Sequence, residues 1–242
     1  MKKKSLDIIK YNKNITDRIK INIKDYKEYS EIYSSIEIEI KPVNNKFGKF
    51  INFEKENEKY HIYFNNNKEE IKRNYINENE KIKNIKIIID YQINSFDRLF
   101  SFCCIESIYF KKFYRNNITS MDAMFYGCST LKELNLNKFN TDNVTNMGAM
   151  FRGCSSLKEL NLNNFNTNNV TFMITMFAGC SSLKELNFNN FNTNKITNMN
   201  GIFFGCSSLE ELNLNNFENK NVKSMVGMFS KCFSLKSKKI IS

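Results

Sequence analysis

The stretch Asn143–Phe165, NVTNMGAMFRGCSSLKELNLNNF, decides the fold, because close copies of it recur along the second half of the chain. Four residue types each return every 26 residues over five such units. Their columns are Cys128, Cys154, Cys180, Cys206 and Cys232; Phe125, Phe151, Phe177, Phe203 and Phe229; Met121, Met147, Met173, Met199 and Met225; and Leu131, Leu157, Leu183, Leu209 and Leu235. Four columns in step indicate a repeat architecture in which each unit packs against its neighbours.

The first half of each unit has the spacing of a short helix. In the quoted unit the apolar residues are 3, 4 and 3 positions apart, namely Val144, Met147, Phe151 and Cys154. Such a spacing places side chains on one helical face. Thr141 or Thr145 could cap the start of the helix, and Gly153 could end it. We therefore predict six helical segments, beginning near Ile93, Ile118, Val144, Val170, Ile196 and Val222.

The second half of each unit has the pattern of a short strand. Leu160 and Leu162 are two residues apart, so they point to the same side of a strand. One unit buries too little apolar surface to offset the ordering of 26 residues, so units must stack. Parallel strands stack at about 4.8 Å, whereas helices need about 8–10 Å. The predicted fold is therefore an α/β solenoid with a parallel strand ladder on the concave side and short helices on the convex side.

We assign residues 81–242 to this array. The first unit is weak: Ile93, Phe96, Phe100 and Cys103 keep the helical spacing, and the strand pattern follows over residues 105–113 with one residue deleted between the halves. Ile85–Ile89 could add an earlier strand. At the other end Lys238 stands where the next core leucine would be, which is typical of an end cap.

Residues 1–80 form a separate flank, which is predicted to be β-rich from about residue 35. Apolar residues alternate with polar ones over residues 36–40 and 60–64, while residues 1–30 are expected to be helical or poorly ordered. The chain lacks an apolar run of about 18 residues, so we predict no spanning helix. Charged residues interrupt the segment after Met1–Lys4, so we predict no signal peptide and, from the sequence alone, a cytoplasmic protein.

The formal net charge of +11 favours anionic partners without choosing among them. Nucleic acid is not favoured as a partner, because neither a known binding module nor exposed aromatic residues interleaved with a basic patch are recognisable. An anionic membrane surface stays open as an alternative. The oligomeric state is not predictable from the sequence.

The sequence predicts no catalytic, cofactor or metal site. The cysteines stand a full unit apart without the close spacing of a zinc site, and we expect them to be small core residues, with disulfides or a metal as the alternatives. His61 is the single histidine, and its place in an alternating stretch predicts a solvated strand residue opposite Ile62. No nucleophile and base motif is present, so we expect no enzyme activity.

Two surfaces are candidates for binding a protein partner. The first consists of the outward columns of the predicted strands: Glu133, Asn135, Asn137, Glu159, Asn161, Asn163, Glu185, Asn187, Asn189, Glu211, Asn213 and Asn215. The alternative reading is that stacked asparagines satisfy the turns and that neighbouring lysines such as Lys158 neutralise the glutamates. The second candidate is an apolar patch on the helical side made of Phe172, Ile174 and Phe204, where the repeats differ most; drift at unconstrained positions explains the same variation.

The repeat, exemplified by Met150–Met173, MFRGCSSLKELNLNNFNTNNVTFM, resembles the 26-residue subtype of the BspA-like leucine-rich repeat surface proteins. The resemblance covers about residues 93–237. It implies a leucine-rich repeat horseshoe, and roles in adhesion and in binding host or matrix proteins at cell surfaces. Our first hypothesis is accordingly a non-enzymatic, adhesion-type protein interaction module. The second is an intracellular scaffold whose basic ends contact an anionic membrane or nucleic acid.

Overall fold

The computed structural model describes residues 34–53, 60–91, 93–214, 217 and 219–236. The predictions for residues 1–30, for Asn215 and for the end cap at Lys238 lie outside these ranges. In the described part of the chain, no helix has the length and apolarity needed to cross a membrane.

Over the described ranges, nine strands form three sheets. They are β1 (Ile36–Pro42), β2 (Gly48–Lys49), β3 (Tyr60–Phe64), β4 (Tyr75–Ile76), β5 (Ile85–Ile89), β6 (Ile105–Lys112), β7 (Glu133–Asn135), β8 (Glu185–Asn187) and β9 (Glu211–Asn213). The largest sheet has the order β3-β5-β1-β6-β7, and β2-β4 and β8-β9 form two-stranded sheets. β1 pairs antiparallel with both β5 and β6, whereas β6 pairs parallel with β7. The strand at Ile85–Ile89 therefore belongs to the antiparallel part of the sheet and not to the parallel ladder.

The repeats stack as rungs, each rung being one 26-residue unit. β8 and β9 pair parallel, with Leu186 opposite Leu212, one unit apart. Isolated parallel bridges link the first halves of successive rungs in the same way, joining Ser95 to Ser120, Ser120 to Asn146, and Asn146 to Phe172. The unit inferred from the sequence is therefore the unit of stacking.

The predicted helices are wrong. Within the described residues, the first half of each rung is a run of turns. In this run, every second backbone N–H group donates to a carbonyl of a neighbouring rung instead of to the same rung. Met121, Ala123 and Phe125 donate to carbonyls of the next rung, at Asn146, Gly148 and Met150 (2.8–2.9 Å). The N–H groups of Met124 and Tyr126 close local turns to the carbonyls three residues back, at Met121 (3.3 Å) and Ala123 (3.0 Å). We call these runs the turn ladder: residues 96–102, 121–127, 147–153, 173–179, 199–205 and 225–231.

Positive φ at two positions per rung excludes a helix here. In one rung these are Ala123 (φ 51°) and Gly127 (φ 70°), and in the next Ala149 (φ 48°) and Gly153 (φ 78°). A right-handed helix needs negative φ throughout. The four residues spaced 3, 4 and 3 are nevertheless all buried, because the turns place Val144, Met147, Phe151 and Cys154 on the inner side of the rung. Gly153 does take positive φ, but it ends a turn rather than a helix.

Thr141 and Thr145 were predicted as helix caps, and both bond across rungs instead. Thr141 is buried; its hydroxyl donates to the carbonyl of Asn166 (3.0 Å) and accepts from the N–H of that residue (2.7 Å). Thr167 repeats both bonds with Asn192. The hydroxyl of Thr145 donates to the carbonyl of Thr119 (3.2 Å). Side chains thus extend the rung-to-rung hydrogen bonding where the strand ends.

The core is a set of side-chain ladders. The rings of Phe100, Phe125, Phe151, Phe177, Phe203 and Phe229 stack with centroids 5.6–5.8 Å apart. Beside them, the thiol of each column cysteine from Cys128 onward donates to the carbonyl of a ladder phenylalanine in the rung before, at 2.9–3.2 Å. All seven cysteines are reduced thiols, and Cys104 is the one among them that is not fully buried. The interpretation of the column as small core residues agrees with this arrangement.

A buried arginine joins the antiparallel strands to the first rung. Arg115 is 0% exposed, and its guanidinium donates to the carbonyls of Ser34 (2.7 Å), Tyr91 (2.5 Å) and Ile89 (3.1 Å). Burial lowers the pKa of this side chain. The carbonyls come from two chain segments far apart in sequence, residue 34 and residues 89–91, so one side chain fixes these segments to the first rung.

Candidate binding surface

The strands present the first predicted site as columns. In β8 the central Leu186 is buried, while Glu185 and Asn187 on either side of it are exposed. Because side chains alternate along a strand, one inward leucine places its two neighbours outward. The pairing of Glu185 with Glu211 and of Asn187 with Asn213 then stacks like residues on successive rungs. We call the outward Glu and Asn columns the strand face.

The structure brings seven of the twelve predicted residues together. An open depression of about 460 Å³ on the strand face is lined by Glu159, Asn161, Asn163, Glu185, Asn187, Glu211 and Asn213. Asn135 and Asn137 are exposed but lie outside this depression. Asn189 is half-buried. The prediction therefore describes one contiguous surface over three rungs, together with outlying members of the columns.

Glu133 belongs to a different environment. It lines a second depression, of about 280 Å³, together with Glu39, Glu106 and Tyr109. The hydroxyl of Tyr109 donates a hydrogen bond to the Glu133 carboxylate, and this bond raises the pKa of Tyr109. Glu133 is thus already engaged by the neighbouring strand, whereas the depression over the next three rungs holds the more accessible glutamates.

The asparagines of the strand face also stabilise the turns that follow the strands. The side-chain oxygens of Asn135, Asn161 and Asn187 each accept the N–H of the residue two positions on, at 3.0 Å. This is an Asx turn, and it closes the strand end without proline or glycine. Because the side-chain oxygen already accepts this backbone hydrogen bond, the amide NH₂ group is the part of the side chain that can donate to a ligand. The alternative interpretation from the sequence, that the asparagines satisfy the turns, therefore accounts for the oxygen of each amide but not for its NH₂ group.

The lysines beside the glutamates interact mainly within their own column. Lys132 pairs with Glu106 (3.1 Å) and Lys236 pairs with Glu210 (3.0 Å), each one rung away in the column next to the glutamates. The hydrogen bond from Lys236 lowers the pKa of Glu210. Lys158 and Lys184 fill the middle of this column and are exposed. The depression thus places carboxylates and asparagine amides beside a lysine row, a mixed polar surface rather than a uniformly charged one.

The residues of the second predicted site lie on or beside the turn ladder and not on helices. Phe172 is 44% exposed and directly precedes the turn ladder, whereas Phe204, 39% exposed, and the half-buried Ile174 lie on it. The ring of Phe172 covers Gly148 in the rung before, so closely that a Cβ there would lie 2.5 Å from it. The Lys231 amine lies 5.3 Å from the Phe204 ring centroid, in the rung after. The contacts of the two rings therefore run in opposite directions along the array.

Sequence reasoning missed an aromatic row on the same side. Phe102 is 65% exposed and packs edge-on against Tyr126, with ring centroids 4.8 Å apart. The Arg152 guanidinium lies 5.4 Å from the centre of the Tyr126 ring. Tyr126 and Arg152 share a column with Phe204, and that shared column was the available signal.

His61 is less solvated than expected. It is half-buried on β3, with Nδ1 3.0 Å from a Glu70 oxygen and Nε2 3.3 Å from an Asp90 oxygen. Lys72 also donates to the Glu70 carboxylate, and that bond is the main cause of its lowered pKa. Across the described ranges, no group of three or more His, Cys, Asp or Glu side chains is placed to hold a metal ion.

Comparison with known proteins adds a family and a distant structure. No curated protein matches the chain. A crystal structure of a leucine-rich repeat protein from Bacteroides ovatus shares 23% identity with it over 61% of this chain, with a TM-score of 0.42. This chain spans only 35% of the length of that structure. A family model matches residues 94–187 and 161–240, which together make up more than half of the sequence. The chain therefore belongs to the family described as Mycoplasma protein of unknown function, DUF285.

Proposed function

We propose that this chain is a non-enzymatic interaction module that binds a protein partner through the strand face. The observation that carries the proposal is the depression in which Glu159, Glu185 and Glu211 recur on successive rungs. The leucines between them face the core, so the backbone behind this surface is fixed before any partner arrives. Preorganisation of this kind lowers the ordering cost of binding.

The chemistry of the face indicates the kind of partner. Repeated carboxylates accept hydrogen bonds from Lys and Arg, and repeated amide NH₂ groups donate to backbone or carboxylate oxygens. A polypeptide that crosses the rungs with basic residues at intervals satisfies both columns. By its resemblance to BspA-like leucine-rich repeat proteins of the 26-residue subtype, we extend the proposal to an adhesion role at a cell surface.

The experiment compares two matched double variants of the full chain. Glu159→Gln with Glu185→Gln removes two carboxylates of the depression. Glu69→Gln with Glu78→Gln removes two exposed carboxylates elsewhere. Immobilised chains capture partners from a mixture of matrix proteins at about 0.15 M and 0.5 M salt. We expect a partner that binds the wild type and the control pair at both salt concentrations and is lost from the depression pair. Equal capture by all three chains would contradict the use of this face.

The alternative function, contact with an anionic surface, has its own readout. Vesicles of phosphatidylcholine with phosphatidylserine test the net charge of +11 directly. Binding driven by that charge should fall steeply with salt and should change to the same extent in the two double variants, because each removes two negative charges. Vesicle binding with this behaviour, without capture of a protein, would favour the scaffold hypothesis.

A further inference from the structure

The two halves of each rung are bonded to their neighbours in the same way. On the turn ladder, the N–H of Met147 donates to the carbonyl of Phe172 at 2.9 Å. On the strand half, the N–H of Glu210 donates to the carbonyl of Lys184, one rung earlier, at 2.7 Å. Helices on one side would need about 8–10 Å and would bend the stack, whereas backbone hydrogen bonds hold both halves near the strand spacing of about 4.8 Å. The packing of the rungs therefore gives no cause for the strand face to curve inward.

Two columns of opposite charge run side by side along this face. Glu159 and Glu185 recur on successive rungs and line the depression of about 460 Å³. Lys158 and Lys184 directly precede them in the chain and are exposed. Each of these two rungs therefore presents one ammonium and one carboxylate to solvent, always in the same order.

The lysine column belongs to the same surface as the glutamate column. Its first member, Glu106, accepts the backbone N–H of Lys132 at its carbonyl (2.8 Å) and pairs with the Lys132 amine through its carboxylate (3.1 Å). Glu106 also lines the smaller depression, beside Glu133 of the glutamate column. An ammonium in the lysine column thus reaches carboxylates at the strand face.

Ion pairs close the ends of the lysine column, as Lys132 with Glu106 and Lys236 with Glu210 do. The middle of the two columns differs. Among the described residues no ion pair involves its four charged groups, which are those of Lys158, Lys184, Glu159 and Glu185. A surface that carries the same two columns in the opposite order would pair all four.

The strand face is itself such a surface. A two-fold rotation about an axis that runs along the stack, between the two columns, places the lysine column of one copy over the glutamate column of the other, and the reverse. The rung spacing is unchanged by this rotation. Lys158 then faces Glu159 of the second copy while Lys184 faces Glu185, so the charges of the two faces are complementary on both rungs at once.

We infer that the strand face binds a second copy of this chain through these four lysine–glutamate pairs. The inference rests on the proposed function, because it uses the same face and names its partner. Exposed ion pairs contribute little singly, so the dimer is weak in solution. Copies held together on one surface would bind copies on another with the combined strength of many such contacts.

The test exchanges the charges of the two columns in the full chain. The acidic variant carries Lys158→Glu with Lys184→Glu, and the basic variant carries Glu159→Lys with Glu185→Lys. Analytical ultracentrifugation follows each chain from about 10 μM to about 1 mM. The salt concentration is about 0.15 M, which screens the net charge of +11 on each copy beyond about 8 Å.

We expect the wild type to dimerise in this range. Each variant alone should dimerise at least about tenfold more weakly, because like charges then face each other. An equimolar mixture of the two variants should dimerise as the wild type does, since opposite charges face each other again. The matched control is Lys46→Glu with Lys68→Glu, two exposed lysines away from the strand face, and it should behave as the wild type.

A second measurement needs no variant. Carbodiimide couples an amine to a carboxylate that it contacts, and a mixture of isotope-labelled and unlabelled wild-type chains distinguishes bonds between copies from bonds within one. We expect bonds between copies to join Lys158 or Lys184 to Glu159 or Glu185.

Three results would overturn the inference: a monomeric wild type, a dimer that survives in either variant alone, or a mixture of well-folded variants that stays monomeric. Capture of a matrix protein by a chain that stays monomeric would reject the second copy as partner and leave the proposed function standing. A dimer formed by a chain that captures no matrix protein would support this inference and reject the foreign partner.

Discussion

Cys154 donates its thiol proton to the carbonyl of Phe125, 29 residues earlier, with sulfur and oxygen 3.2 Å apart. That carbonyl also accepts the N–H of Cys128 at 3.1 Å, so one buried oxygen serves two rungs. A carbonyl has two lone pairs, and the second needs a donor small enough to fit beside the phenylalanine stack. Cysteine meets this requirement because it is compact, weakly polar and tolerant of burial. The column of thiols is therefore part of the bonding between rungs.

Replacement of Cys154 by alanine should lower the free energy of unfolding by about 1–3 kcal/mol, since it removes the thiol hydrogen bond and leaves a small cavity. Urea unfolding followed by circular dichroism measures the change. Cys104→Ala is the matched control, because Cys104 is only half-buried and lies outside the column. Equal losses for the two variants would show that the thiol ladder adds nothing.

The thiols also predict a pH dependence. Burial raises the pKa of Cys128 and of Cys206 from 9.0 to about 12. Between these values the unfolded chain holds fewer protons than the folded chain, so the free energy of unfolding falls as pH rises through this window. Below pH 9 this contribution is fully present.

Urea unfolding at pH 8 and pH 10 under reducing conditions measures this pH effect. The wild type should lose on the order of 2 kcal/mol more between the two pH values than a chain with both Cys128 and Cys206 replaced by alanine. An equal pH effect in the two chains would contradict the assignment to these thiols.

The backbone at Ala149 distinguishes a turn ladder from a helix. Alanine in a helix interior is about 1 kcal/mol better than glycine, whereas at φ 48° glycine relieves strain. We therefore expect Ala149→Gly to leave the melting temperature unchanged or to raise it by a few degrees. Gly153→Ala, at φ 78°, should destabilise by about 1–2 kcal/mol. A clear loss of stability in the first variant would indicate a helix.

Replacement of Leu160 and of Leu162 by alanine should lower the free energy of unfolding by different amounts. Leu160 and Leu162 point to the same side, but Leu160 is only half-buried against the core, while Leu162 is buried. Leu162→Ala should therefore cost about 2–5 kcal/mol and Leu160→Ala less. Lys236→Ala, which removes a solvent-exposed ion pair with Glu210, should leave stability nearly unchanged. Denaturant midpoints rank the three, and a larger loss for the lysine would refute this assignment of the core.

Arg115 should be the most sensitive charged residue in the described part of the chain. Arg115→Met removes the donors to three buried carbonyls and should cost about 3 kcal/mol or more. Arg115→Lys should recover little, because an ammonium cannot match the fork of a guanidinium. Exchange protection of β1 and β5 measures the effect locally. Wild-type protection in the lysine variant would show that charge alone suffices.

The repeat could be predicted because the same apolar residue types recur at the same interval of 26 residues. Columns of phenylalanine, methionine and cysteine identify inward residues whatever their backbone, so Phe151 and Cys154 were placed in the core for the right reason. The backbone was predicted wrongly because inward residues spaced 3, 4 and 3 fit both a helix and a run of turns. The available signal was the recurrence of Ala, Thr or Gly at positions 149, 175 and 201 with Gly four residues later.

The strand face was predictable because Glu185 and Asn187 flank an inward leucine. Arg115 could not be found this way. Its role depends on carbonyls more than 20 residues away in sequence, and a single arginine in a chain rich in charged residues carries no local signal.

The fixed separation of donors and acceptors along the turn ladder constrains how such a gene can change. Loss or duplication of one whole 26-residue period, such as residues 144–169, returns every donor to an equivalent acceptor and every ring to an equivalent neighbour. An insertion of two or three codons within a turn does not restore these pairings, because all later donors and acceptors in that rung would be out of register. Families built this way should therefore vary in length by complete periods.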